Sequence, residues 1–437
     1  MHLFGIIMLE KVKDSFSSLE KGLKTIAFLL IPFMAFFLVL SDRTPYNYFA
    51  FALFGFETIV ILIHVIKYHR IVFDVYAKLL LLFLFSIFLS QILNLRPLEY
   101  PRTILLLSAF SFVFYQFAIT LSTKEKDNIY ELLVLGGLFF IVYFSISYFK
   151  ELIKFDFSSR LGREFSDQND LAKNLAIFGI ISELLAFKKK RKKTCIIYIA
   201  LAIVFFFFIL VTGSISNLLS FTTIAIVLIL VLSKNKQRLI TLIIIVAFSI
   251  AFVGLLQLPF MNYFKTRIEN MFNSFTSGSG AVDNSFVDRF FLAGYGLKLF
   301  ISKPVFGYGY DQVQYYTFGK NAFSHNNFVE LLGSFGVVGF IVFESLLVYP
   351  IVKNWKKRND RCLAIFTILY LFVFQFFLII FRKKIEYFLF PLAFSMIDYK
   401  ATNYYELLIK DKKISIKKNC FKKAKDITNH GYYLIDI

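Results

Sequence analysis

Charge is scarce in this chain. Only 18% of its residues are Asp, Glu, Lys or Arg, against about 25% in an average soluble domain. A soluble globular protein is thereby excluded, and 58% hydrophobic residues point the same way. Acidic residues are the scarcer half, 29 against 49 basic ones. The excess could suggest a nucleic-acid binder, but no aromatic-basic platform of the RNA-binding kind is present. Cysteine is nearly absent. Cys195, Cys362 and Cys420 have neither zinc spacing nor a partner for an outer disulfide, and read as plain thiols in a reducing compartment. No glycine-rich nucleotide loop and no Walker pattern occurs, which argues against nucleotide-sugar or ATP use. Histidine is also rare, with five in the chain.

Long apolar runs, by contrast, recur throughout. A membrane span needs roughly 20 mainly apolar residues. That length predicts about twelve spans, near 23–40, 50–66, 76–93, 103–121, 129–149, 170–187, 194–212, 215–232, 239–257, 327–350, 362–381 and 385–399. Basic residues cluster between them, as in Lys188-Lys189-Lys190-Arg191-Lys192-Lys193, the positive-inside pattern. It places both termini in the cytoplasm. The run from Ile26 to Leu40 follows Lys11, Lys13, Lys21 and Lys24 and reads as a retained first span rather than a cleaved signal. Residues 1–399 then form one transmembrane bundle, and 400–437 a basic cytoplasmic tail. The tail lysines suit anionic lipid. A chain-length regulator is one protein partner the chain could take, though no feature singles it out. Arg382, Lys383 and Lys384 break the pattern by falling outside. Either the last hairpin is not a true span pair, or this cluster has work to do with an anion.

Two outer segments are long, about 150–169 and about 258–325. Asn273–Asn284 is rich in Ser, Gly and Asn and reads as flexible. Phe286–Phe300 has apolar residues at helical spacing and predicts an amphipathic helix on the outer surface. The turn Pro304-Val305-Phe306-Gly307-Tyr308-Gly309 ends it.

These segments hold the candidate chemistry. Arg160, Arg163, Arg267 and Arg289 present planar forks suited to phosphate oxygens. Head-group binding or simple solvation is the plainer reading for any one of them. His325 is the only histidine that this topology places outside, and a largely neutral imidazole can serve as a general base. Glu330 lies one turn beyond Asn326 in a span, where an ionisable group is costly and so suggests function. It could orient His325, pair with an arginine or sit protonated. Gly333, Gly336 and Gly339 read as packing positions. Asp167 and Asp170 are three apart, and no His/carboxylate cluster appears outside. No metal and no cofactor is expected.

Arg289 through Gly309 and Ser324-His325-Asn326-Asn327 through Phe340 together resemble the O-antigen ligase and O-antigen polymerase superfamily of bacterial envelope enzymes. The resemblance implies an all-α, GT-C-like polytopic membrane fold and a metal-independent glycosyltransferase. It implies undecaprenyl-pyrophosphate-linked glycans as substrates, at the outer face of the plasma membrane. It implies a base at His325, a pyrophosphate contact at Arg289, and an outer arginine matched by Arg163 or, less closely, Arg160. One departure stands out. Thr212-Gly213-Ser214 is followed by Ile215-Ser216-Asn217, without the arginine many members carry there. This favours a polymerase over a ligase. A ligase, transferring glycan to lipid A-core or protein, is the nearest alternative. A lipid-linked glycan flippase or transporter is the alternative from another class.

Overall fold

The computed structural model describes residues 24–40, 70–97, 101–154, 161–165, 167–189, 191–232, 262–276, 284–316, 323–357, 361–397 and 433–436, with short pieces between them. The spans expected at 50–66 and 239–257 lie largely outside the described residues. So do Arg160 and most of the tail.

What is described is almost wholly helical. Helix α1 covers Lys24–Leu40. It is followed by α2 (Val75–Leu93), α3 (Arg102–Thr120), α4 (Thr123–Ser147), the short α5 (Phe149–Lys154), α6 (Gln168–Lys188), α7 (Lys192–Val211) and α8 (Ile215–Leu232). Beyond them come α9 (Asn262–Thr276), α10 (Asn284–Ser302), α11 (Asn327–Asn354), α12 (Cys362–Phe374) and α13 (Lys384–Ile397). Among the described residues six helices, α2, α3, α4, α7, α8 and α11, are long and apolar enough to cross a membrane. Their outward faces carry bare hydrocarbon: Ile146 is 70% exposed, and Phe85 and Ile203 are each 63% exposed. Water would penalise that surface and lipid does not. The chain is a multi-pass membrane protein.

Helix starts follow their capping residues. The Asp74 carboxylate accepts from the Tyr76 amide at 3.0 Å and caps α2. Ser122 and Glu125 form a reciprocal capping box at α4. Asp167 accepts from the Asn169 amide at 2.9 Å and caps α6.

Helix α6 is buried along nearly its whole length and packs against α4, α7, α8 and α12. It covers the span expected at 170–187 but carries Asp170, Lys173, Glu183 and Lys188, and so is not among the six apolar helices. Asp170, Lys173 and Lys188 are paired across helices. Lys173 Nζ lies 2.5 Å from Glu386 of α13, with side chains 2% and 0% exposed, and Lys188 Nζ lies 2.5 Å from Asp127. Removing one partner of a buried pair costs about 3–5 kcal/mol, whereas replacing both with apolar groups is often neutral. Glu386→Ala is therefore expected to lower the unfolding midpoint sharply in detergent. The double change Lys173→Met with Glu386→Leu should restore most of it. Thermal unfolding of the two variants checks this.

Two features depart from the sequence expectations. The span expected at 362–381 stops as a helix at Phe374, and the backbone from Gln375 to Lys383 is irregular. Leu378, Ile379, Ile380 and Phe381 are nonetheless buried. Irregular backbone survives at such depth only where protein groups satisfy it. Asn327 does so here: its Oδ1 accepts from the amides of Ile380 (2.8 Å) and Phe381 (3.2 Å), and its own amide donates to the Gln375 carbonyl at 2.9 Å. The other departure is a strand pair, β1 (Arg70–Phe73) with β2 (Tyr433–Asp436), antiparallel, Arg70 opposite Asp436. It docks the end of the tail beside the start of α2. The far end of α2, about 28 Å away for 19 residues, carries Ser90 and Asn94. Ser90 donates to the Ser334 carbonyl (2.9 Å) and Asn94 to the Gly307 carbonyl (2.9 Å). Tail and outer-loop motifs thus occupy opposite ends of the bundle.

Candidate active site

The two glycine-bearing motifs pack on one another. Helix α11 breaks at Gly336, where φ is 64°. The turn after α10 fits into that break. Tyr308 and Gly309 donate their amides to the carbonyls of Gly333 (2.9 Å) and Ser334 (2.8 Å), and Val337 donates back to the Pro304 carbonyl at 2.8 Å. A Cβ at Gly307 would collide with the Ser334 carbonyl, and one at Gly336 with that of Val305. Only glycine permits so close an approach at positive φ. Packing was the expected role of Gly333, Gly336 and Gly339. The partner is a loop, and the cost is a broken helix. The result is a fixed relation between α10, which carries Arg289, and the start of α11, which follows His325.

His325 itself is held in a turn. Its φ of 53° lies in the left-handed region, which costs a non-glycine residue roughly 1–2 kcal/mol. The flanking contacts impose it. Asn326 caps α11 by accepting from the Val329 amide at 3.1 Å. Glu330, 1% exposed, accepts from the Ser324 amide (3.1 Å) and hydroxyl (2.8 Å). Glu330 does not line the cavity into which His325 faces. It grips the residue before the histidine and so fixes the turn that holds it. Glu330→Ala is expected to lower turnover by about 100-fold, the order of loss for a misplaced reacting group. Glu330→Gln keeps an acceptor oxygen and should recover most of it. Parallel rates of the two variants check this: failure of the glutamine to rescue would mean that the charge itself acts.

That cavity has a volume of about 450 Å³. His325, Arg289 and Arg267 line it, with Asn169 from the start of α6. Its remaining walls are mainly apolar, from Leu219, Met271, Phe290, Phe376 and Phe377. Burial first, and then the charge of Arg289, hold the His325 imidazole below its ordinary value of 6.5. Asp167 and Asp170 pull it upward, and Lys383 adds to the depression. The site therefore keeps a neutral imidazole beside fixed guanidinium charge.

Arg267 comes from α9, a helix the sequence reading did not anticipate. Its signal was present: Phe264, Ile268, Met271 and Phe272 recur at helical spacing. The helix continues through Thr276, into the stretch read as flexible. Arg267 Nη1 donates to the Gly213 carbonyl at 2.5 Å. The Thr212-Gly213-Ser214 turn, which lacks an arginine of its own, thus receives one from another helix. The same turn is tied to α6: Ser214 donates to Asn169 Oδ1 at 3.0 Å, and Asn217 to the Asn169 carbonyl at 2.8 Å.

Other candidates fall elsewhere. Arg163 is exposed on the 161–165 segment and does not line the cavity. Asp167 caps α6, and Asp170 pairs with Lys383. Arg382 pairs with Asp311 and lies over the Phe323 ring, 4.2 Å from its centroid. Asn169 and the Phe376–Phe377 pair were missed in the sequence. No local pattern marks them, because long-range packing brings them in.

A half-buried histidine and two arginines beside a largely apolar cavity form a site whose charge suits an anion and whose walls suit an apolar chain. Residues 199–343 match the family model described as O-antigen ligase, a family of membrane glycosyltransferase-like enzymes. The match contains Arg267, Arg289, His325 and Glu330, and bears out the resemblance to the O-antigen ligase and polymerase superfamily. No curated protein matches the chain.

Proposed function

We propose that the chain is a polysaccharide polymerase of the outer face of the bacterial plasma membrane, with both termini cytoplasmic. It extends glycan carried on undecaprenyl pyrophosphate. The observation that carries this reading is the convergence of His325, Arg289 and Arg267 on one largely apolar cavity. The acceptor sugar hydroxyl attacks the anomeric carbon of the donor glycan. His325 takes the hydroxyl proton as the new C–O bond forms. The bond from the anomeric carbon to the diphosphate oxygen breaks, and its electron pair leaves with undecaprenyl diphosphate. Arg289 and Arg267 neutralise the charge growing on that oxygen. In this reading guanidinium groups serve where other transferases use a divalent metal, so chelators leave the rate unchanged. Arg163, exposed on the 161–165 segment, meets the diphosphate before it enters the cavity. The apolar walls accept the first part of the prenyl chain.

The ligase remains the second reading, because the matching family model is described by that activity. A transporter is disfavoured by position: its polar groups belong near the bilayer midplane in broken spans, whereas His325 precedes α11 and Arg267 and Arg289 lie on α9 and α10, neither of which is among the helices apolar enough to cross a membrane. Purified full-length protein in nanodiscs, given lipid-linked repeat units, should release undecaprenyl diphosphate and lengthen the glycan, with or without a chelator. Single repeats left on the final acceptor in a deletion strain would agree with a polymerase. Full-length polymer stranded on undecaprenyl would show a ligase instead.

A further inference from the structure

A second cavity lies back to back with the first. Its volume is about 230 Å³, and Asp170, Lys173, Asn174, Arg382, Lys383 and Lys384 line it. The two cavities share their walls. Asn169 lines the first and Asp170, the next residue of α6, lines the second. Successive helix positions point about 100° apart, so the start of α6 divides them. The irregular segment between α12 and α13 does the same: Phe376 and Phe377 face the first cavity, and residues 382–384 the second.

The lining is cationic, with one arginine and three lysines against the single carboxylate of Asp170. Lys173 is engaged by Glu386, Lys383 by Asp170 and Arg382 by Asp311. The pairings fix these cations in place around the cavity. Asn174 and Asp170 are 6% and 7% exposed. The Oδ1 atom of each is buried without a hydrogen-bond partner. Buried acceptors of this kind ordinarily find a donor. A diphosphate esterified at both ends offers none at neutral pH, but a sugar hydroxyl does. Fixed cations together with buried orphan acceptors call for a ligand with phosphate oxygens and hydroxyl donors in one molecule.

We infer that this cavity is a second binding site, for the sugar-phosphate end of a second lipid-linked glycan. The inference rests on the polymerase reading, in which donor and acceptor each carry a diphosphate. The first cavity then holds the donor, and the second holds the diphosphate end of the acceptor while its far hydroxyl reaches His325. None of the second cavity's nine lining residues lies in the segment matched by the family model. An acceptor of a different kind, lipid A-core or protein, would need no such pair of sites.

Binding measurements on the full-length chain in nanodiscs of zwitterionic phospholipid test this. The probes are undecaprenyl diphosphate and its N-acetylglucosaminyl derivative. The wild type should bind two equivalents of the glycosylated probe. Lys384→Gln should weaken one equivalent about tenfold for both probes, the loss of one charge-assisted hydrogen bond. Asn174→Ala should weaken that same equivalent for the glycosylated probe alone. Arg289→Ala should remove the other equivalent, which also serves as a control for folding of the first two variants. A single equivalent on the wild type overturns the inference. So does loss of all binding in Arg289→Ala, and so does displacement of only the second equivalent by phosphatidylglycerol, which would mark a phospholipid head-group site. Chain elongation by the same preparation is read separately. Elongation with one equivalent bound removes the second site and keeps the polymerase. Two equivalents without elongation keep the site and remove the polymerase.

Discussion

Replacing His325 with alanine is expected to slow glycan transfer about 100- to 10,000-fold, the range over which a positioned general base contributes. Binding of lipid-linked substrate should change little, because in the proposed mechanism the diphosphate is held by the arginines. The pH dependence gives a sharper signature. The imidazole is active when neutral, and its proton affinity is lowered by burial and by Arg289. The acid limb of kcat/KM, which reports the free enzyme, should therefore lie below 6.5, the ordinary histidine value. Once the diphosphate is bound its negative charge opposes Arg289 and Lys383, so the acid limb of kcat should move toward higher pH. Rates of undecaprenyl diphosphate release across pH 5 to 8, in the range where histidine titrates, check both statements. A profile without an acid limb in the wild type, or near-normal turnover in His325→Ala, would remove the histidine from the chemistry.

Arg289→Ala is expected to cost about 100- to 1,000-fold in kcat, the loss typical when one preorganised donor to a developing anion is deleted. The loss should fall on KM as well as kcat, because Arg289 contacts the donor diphosphate in the ground state and the charge on the leaving oxygen grows further toward the transition state. Lysine should not substitute well, since a point charge lacks the planar fork that grips two phosphate oxygens. Arg289→Ala carries a second consequence that a merely structural arginine would not. With the depressing charge gone, the His325 acid limb should shift upward in pH. Arg267→Ala should cost less, because part of its hydrogen-bonding capacity is committed to the Gly213 carbonyl. Steady-state kinetics of the three variants separate these effects.

Much of the helical framework was legible in the residues. Apolar runs near 76–93, 103–121 and 215–232 became α2, α3 and α8 within about one residue at each end, because in lipid a backbone must satisfy itself as helix. The surface helix expected at Phe286–Phe300 appears as α10, since its apolar spacing suits one buried face. The span expected near 362–381 failed for a physical reason. Its residues are apolar apart from Thr367 and Gln375, but the side-chain oxygen of Asn327 offered the backbone another way to be satisfied. Hydropathy does not register such a trade. Helix α9 was lost inside a long loop because its polar residues outweighed a short apolar stripe.

The candidate site divides along the same line. His325, Arg289 and Arg267 stood out by residue type and by lying in one outer segment, and the cavity brings all three together. Glu330 was noticed because a carboxylate in a span is costly, but its partner Ser324 emerges only from the turn geometry. Arg163 was matched by position and lies off the cavity. The outer cluster Arg382, Lys383 and Lys384 was equally visible, with no hint that Asp170 and Asp311, each about 70 residues or more away in sequence, would meet it.

Composition and run length alone determined that this chain lives in a membrane as helices, because the transfer of about 20 apolar side chains into hydrocarbon outweighs any local preference. Residue type alone determined which groups could act as base or as phosphate clamp. The tertiary structure decided where they act. Only the close approach of Gly307 and Gly336 sets α10 against α11, and only the reach of Arg267 to the Gly213 turn supplies the charge missing there. Those contacts join residues far apart in the chain, and their energy comes from packing and hydrogen bonding that no local stretch of sequence contains.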